Sequence, residues 1–66
     1  MIKTLDRDIP LALDPPATAK AASISTGLLY KLWRQGSGPP YLKVGSDRRV
    51  LVDDLYHWLE SLKEAA

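Results

Sequence analysis

The stretch that decides the fold is residues 25–52, which read STGLLYKLWRQGSGPPYLKVGSDRRVLV. Residues 25–35 predict a helix, because at 100° per residue their apolar and polar side chains separate onto opposite arcs. Ser25 is a favourable N-cap, and Gly36 suits the left-handed position just beyond a helix. The apolar arc holds Leu28, Leu29, Leu32 and Trp33. The polar arc holds Thr26, Gly27, Tyr30, Lys31 and Arg34.

The second half of this stretch predicts a β-hairpin. The Pro39-Pro40 pair cannot continue a helix, and alternating apolar residues follow over 41–52. The turn is expected within residues 45–48, which are rich in turn formers. Pairing Val44 with Val50 or with Arg48 leaves two registers open. Either register places one set of apolar residues on a single face, namely Leu42, Val44, Val50 and Val52.

The flanking segments predict two further helices and an extended leader. Asp14 can cap a short helix over residues 15–22 that starts at Pro15, and residues 23–25 interrupt it. The last helix is expected to start at Asp53-Asp54, with Asp53 as its cap. Its apolar stripe comprises Leu55, Trp58, Leu59 and Leu62. Pro10 argues against a helix in residues 1–13, so extended chain is expected there, with Leu11 and Leu13 touching the core.

This order of elements predicts a small α+β domain of the winged helix-turn-helix type over residues 14–66. It comprises a helix-turn-helix, a two-stranded β-hairpin wing and a C-terminal helix, preceded by the leader at 1–13. With 66 residues, the chain buries only about 60% of the surface that its unfolded form exposes. The core is therefore small, and we expect no separate substrate cleft.

Composition and charge favour a binding protein over an enzyme. The chain has no cysteine and one histidine, so we expect no disulfide, metal site or cofactor. Without a signal-peptide pattern or an apolar run long enough for a membrane span, we expect a cytoplasmic protein with no membrane partner. The net charge of +1 is unevenly distributed. Residues 20–49 carry +5 and both ends are negative, which predicts a surface that faces a polyanion.

The candidate DNA-binding residues lie on the predicted recognition helix and wing. A recognition helix presents its N-terminal residues to base edges in the major groove, and wing cations hold phosphates or enter the minor groove. The helix supplies Ser25, Thr26, Gly27, Tyr30, Lys31 and Arg34, and the wing supplies Lys43, Arg48 and Arg49. For Tyr30, a phosphate hydrogen bond and packing against the wing remain equal alternatives. Trp33 and Trp58 are predicted to pack in the core rather than stack on bases.

The ordered motifs of residues 14–62 resemble the AlpA-like and excisionase-like members of the MerR-type winged helix superfamily. These motifs are Pro15, Ile24-Ser25, Leu29-Tyr30, Gly36, Gly38-Pro39-Pro40-Tyr41, Lys43-Val44-Gly45, Arg49, Asp54-Leu55 and Trp58-Leu59. The sequence departs from the family pattern at Ala17, Leu28 and Val50, where Glu, Thr and an aromatic residue are usual. The last two positions lie on the binding elements, so base specificity does not carry over.

The expected function is sequence-dependent binding of double-stranded DNA without catalysis. The resemblance implies a phage, prophage or plasmid protein that acts as an excisionase or a transcriptional regulator. Further copies on adjacent sites, an integrase or RNA polymerase would be its protein partners. The alternative is a protein-interaction adaptor with the same fold, in which the apolar residues of the leader form the contact. No nucleophile, carboxylate pair for catalysis or phosphate-binding loop supports an enzyme.

Overall fold

The computed structural model describes residues 10–64, which form three helices and a three-stranded antiparallel sheet. The chain is a small α+β protein in this part, as the sequence predicts. The order is β1 (Ala12–Leu13), α1 (Pro15–Ala21), α2 (Thr26–Arg34), β2 (Leu42–Val44), β3 (Asp47–Leu51) and α3 (Val52–Ser61). Strand β3 lies in the middle of the sheet, between β1 and β2.

Side-chain caps and one left-handed residue define the α1–turn–α2 unit. Asp14 accepts a hydrogen bond from the backbone N–H of Ala17 at 2.9 Å, and Ser25 accepts one from Leu28 at 3.0 Å, so both predicted caps are confirmed. Between the helices, Ser23 has a φ of 60°. A residue with left-handed backbone lets the chain reverse direction within the four residues between the two helices. This conformation is sterically unfavourable for a residue that has a side chain.

The hairpin has a two-residue turn, and its register differs from both expected ones. Gly45, with a φ of 68°, and Ser46 form the turn, and Val44 pairs with Asp47. Because side chains alternate along a strand, this register places Leu42 and Val44 on the face of Arg49 and Leu51, opposite to Val50. The expectation of one face for all even-numbered apolar residues was wrong. Two-residue turns with glycine first are common, because their twist matches that of the strands.

A third strand extends the hairpin into a sheet. Ala12 and Leu13 pair with Leu51 and Val50, and the backbone N–H of Val52 donates to the carbonyl of Leu11 at 3.0 Å. Leu13 is half-buried as expected, but Leu11 is 84% exposed, so its predicted core contact was wrong. A strand of two residues is too short to show an alternating pattern of apolar and polar residues in the sequence. Strand β1 was therefore not predicted. Residues 1–9 of the predicted leader lie outside the described residues.

Helix α3 follows β3 directly, with no side-chain cap. Leu51 occupies the N-cap position, so the predicted cap at Asp53 was wrong, and Val52 is helical instead of the end of a strand. Asp53 and Asp54 both lie in the first turn, where negative charge interacts favourably with the helix dipole. Leu55 is buried, whereas Leu62 lies just beyond the helix and is 55% exposed.

A small core lies between the helices and β3. Leu29 and Val50 are fully buried, and Ala19, Leu55 and Pro39 are buried as well. The two tryptophans are half-buried at its margin and are tied to the connector after α2. The indole N–H of Trp33 donates to the carbonyl of Pro39 at 2.8 Å, and that of Trp58 donates to Ser37 at 2.9 Å. The tryptophans therefore pack within the protein, as expected, but also fix a loop.

Candidate nucleic-acid interface

The polar arc of α2 lies on the surface. Thr26, Gly27, Lys31 and Arg34 are all exposed, and Lys31 and Arg34 lie in the last turn of the helix. Leu28, expected on the buried arc, is 41% exposed and adjoins this surface. The hydroxyl of Ser25 accepts the capping hydrogen bond from Leu28, which uses one of its acceptor positions.

Two cations of the hairpin lie on the face of the sheet that is nearer to α2. Lys43 and Arg48 are directly paired across the two strands, so they share one face of the sheet. Val50 lies on the same face and is fully buried, which shows that this face is the one covered by the helices. Lys43 is exposed and Arg48 is half-buried. The register thus brings Lys43 and Arg48 to the side of the sheet where α2 lies.

Arg48 lies among three aromatic rings, which we call the arginine cage. Its Cζ atom is 4.7 Å from the ring centroid of Tyr41, 4.9 Å from that of Trp33 and 5.6 Å from that of Tyr30. The rings also contact one another edge to face, with centroids 5.0 Å apart for Trp33 and Tyr41 and 5.4 Å apart for Tyr30 and Trp33. These distances are within the range of cation–π and aromatic pairing.

Of the two alternatives for Tyr30, the arginine cage shows packing against the hairpin. Its ring packs against the hairpin through Arg48, and it is 37% exposed. A phosphate contact by its hydroxyl stays a prediction. The periodicity of the sequence placed Tyr30 and Trp33 on opposite arcs of the helix, but they are three residues apart, and the structure brings their rings into contact. Their contact with Tyr41 and Arg48 was not predicted, because it depends on the connector and on the hairpin register.

Arg49 belongs to the opposite face of β3. Its guanidinium donates to the backbone carbonyl of Arg48 at 2.8 Å and lies 3.9 Å from the carboxylate of Asp47. The side chain of Arg49 is 34% exposed. The three predicted wing cations therefore do not form one cluster, since Lys43 and Arg48 share a face and Arg49 pairs with an acid on the other.

An open groove of about 370 Å³ separates the start of α1 from the hairpin turn. Arg48 and Arg49 border it, together with Asp14 and Asp47. Its remaining lining residues are Pro15, Pro16, Tyr30 and Ser46. Such mixed charges do not form a simple anion site. Asp14, one of its two acids, already caps α1.

The described residues do not assemble a metal site. Across residues 10–64 no three side chains of His, Asp or Glu lie close enough to hold a metal ion. His57 is exposed and stacks edge to face on Tyr56, with ring centroids 5.7 Å apart. Asp53 and Asp54 serve the first turn of α3. Within the same range, no helix has the length and apolar character needed to cross a bilayer.

Comparison with known proteins gives no family for this chain. No family model matches the sequence, and no curated protein matches it. The function of the protein is therefore inferred from its residues and their arrangement.

Proposed function

We propose that the chain is a winged helix-turn-helix protein that binds double-stranded DNA and catalyses no reaction. One observation carries the proposal: Arg48 of the hairpin contacts Tyr30 and Trp33 of α2. This contact holds the exposed Lys43 of the hairpin near the exposed cations of α2. A helix and a hairpin connected in this way can present basic side chains to one duplex. The net charge of +5 in residues 20–49 supports a polyanionic ligand.

In this proposal α2 is the recognition helix and the hairpin is the wing. Thr26 and Gly27 lie in the first turn of α2, where side chains and backbone come closest to base edges. Lys31 and Arg34, in the last turn of α2, reach phosphates or the edges of guanine. Lys43 provides a contact to a DNA phosphate beside the major groove. Phosphate contacts supply most of the affinity, whereas base contacts discriminate between sequences.

A domain of this size contacts a short site, so useful specificity requires several copies or a protein partner. We propose that the protein acts as an excisionase or a transcriptional regulator of a phage, prophage or plasmid. The resemblance of residues 14–62 to AlpA-like and excisionase-like proteins supports this part of the proposal. Adjacent copies, an integrase or RNA polymerase would be its partners.

The test is a titration of fluorescently labelled mixed-sequence duplex DNA at several salt concentrations. The affinity should fall with salt, and Arg34→Gln should weaken binding while the unfolding midpoint stays unchanged. Lys63→Gln is the matched control, because Lys63 is an exposed cation after α3 that lies 3.7 Å from Glu60. This variant should bind as the wild type does. Equal affinities for Arg34→Gln and wild type would refute the recognition surface, and no salt-dependent binding at all would refute DNA binding.

The outer face of the sheet favours a second candidate function, protein–protein contact. Val44 is 59% exposed there, and Leu42 and Leu51 are each 39% exposed, although Arg49 and Asp47 separate them. Together with the exposed Leu11, this face fits the adaptor alternative. In that case Val44→Lys would abolish association with a partner, and Arg34→Gln would have no effect.

A further inference from the structure

Arg48 differs from the other hairpin cations in what surrounds its charge. Three ring centroids lie within 5.6 Å of its Cζ atom, and the residue is half-buried. Among residues 10–64 its guanidinium forms no ion pair, whereas Arg49 lies beside Asp47. Attraction between a cation and ring faces strengthens as water is removed from the contact. The charge of Arg48 therefore lies against the rings on one side, while the residue also borders the open groove beside Asp14 and Asp47.

The arginine cage connects three separate segments of the chain. Tyr30 and Trp33 belong to α2, Tyr41 precedes β2, and Arg48 lies in β3. Trp33 is held in turn by its hydrogen bond to Pro39. A guanidinium on β3 that contacts rings from the other two segments restricts the angle between hairpin and helix. Direct pairing of Lys43 with Arg48 means that this angle also determines where the ammonium group of Lys43 lies relative to α2.

We propose that Arg48 is a positioning residue, which holds the hairpin against α2 and so sets the distance between Lys43 and the cations of the helix. The proposal rests on the DNA-binding function proposed above and deepens it. A phosphate contact outside the cage would take Arg48 away from the rings and forfeit their attraction. Arg48 therefore acts on DNA through the placement of Lys43, and its own charge makes no phosphate contact.

Two variants that each remove one charge distinguish positioning from direct contact. A side chain that contacts a phosphate contributes about 0.9 to the slope of log affinity against log salt. Lys43→Met should therefore bind DNA with a slope shallower by about 0.9 and leave the free protein unchanged. Arg48→Met should keep the wild-type slope, because Lys43 still reaches its phosphate in the complex. It should bind about 3- to 30-fold more weakly, the range expected for a lost cation–π contact, because the hairpin must then be ordered against α2 on binding. Arg48→Lys should restore most of the lost affinity, because an ammonium group also interacts with aromatic rings.

The free protein gives an independent readout by NMR. Ring currents should shift the side-chain protons of Arg48 upfield of those of Arg49, and Arg48→Met should move the amide resonances of β2 and of Tyr41. A slope for Arg48→Met that falls as far as the slope of Lys43→Met would overturn the proposal, as would unshifted Arg48 protons. If the wild type binds no DNA, the proposed function fails and so does the role of Arg48 in it. The NMR result then still decides whether Arg48 holds the hairpin against α2.

Discussion

Replacement of Gly38 by alanine tests the packing around Trp33. A Cβ atom on Gly38 would lie 2.6 Å from Cδ1 of Trp33 and 3.1 Å from its Nε1 atom. The indole cannot easily move away, because its N–H donates to Pro39 and its ring contacts Tyr41 and Arg48. We therefore expect Gly38→Ala to destabilise the protein, with the strain located at the arginine cage.

The magnitude follows from opposing contributions. Added volume in a packed site costs about 1–3 kcal/mol, and loss of the indole hydrogen bond costs about 1 kcal/mol more. Alanine lowers the entropy of the unfolded chain and so stabilises by about 0.4–1 kcal/mol. The net loss is about 1–3.6 kcal/mol, out of a total stability of about 3–10 kcal/mol for a domain of this length.

The assay is urea denaturation followed by indole fluorescence. Gly27→Ala is the matched control, since it makes the same change where the nearest atom, Oγ of Ser25, is 4.0 Å away. Alanine is the better helix former, so Gly27→Ala should be more stable by up to about 1 kcal/mol. If Gly38→Ala proves as stable as the wild type, the close approach of Gly38 to Trp33 is refuted.

Three further substitutions test the turn, the connector and the DNA contact. Ser23→Gly should raise the unfolding free energy by about 0.5–1 kcal/mol, because glycine adopts a φ of 60° without steric cost; an unchanged urea midpoint would contradict the left-handed turn. Trp58→Phe should lower it by about 1 kcal/mol through loss of the hydrogen bond to Ser37, which thermal melting measures. Gly27→Ala should weaken DNA binding in the labelled-duplex titration although the protein is more stable, because a methyl group in the first turn of α2 obstructs close approach to DNA; unaltered affinity would place DNA away from Gly27.

Local signals predicted the helices well, because each signal acts over a few residues. The side chains of Asp14 and Ser25 cap helices by accepting hydrogen bonds from backbone N–H groups three residues further along the chain. Gly36 has the positive φ expected beyond a helix. The 3.6-residue periodicity predicted which side chains of α2 are exposed, apart from that of Leu28. At α3 the local signal misled, because Asp53 resembles a cap although the chain enters the helix directly from β3 at Leu51.

The amino-acid sequence alone determined the order of helix, turn, helix and hairpin, and the concentration of positive charge in residues 20–49. Only the tertiary structure decided the pairing of Val44 with Asp47, on which the position of every hairpin side chain depends. A shift of one residue reverses both faces of a strand, and Gly45-Ser46 fits the observed turn without specifying it uniquely. The arginine cage likewise required contacts between Tyr41, Arg48 and α2, which are distant in sequence. Such contacts depend on how packed elements meet, and no local propensity encodes them.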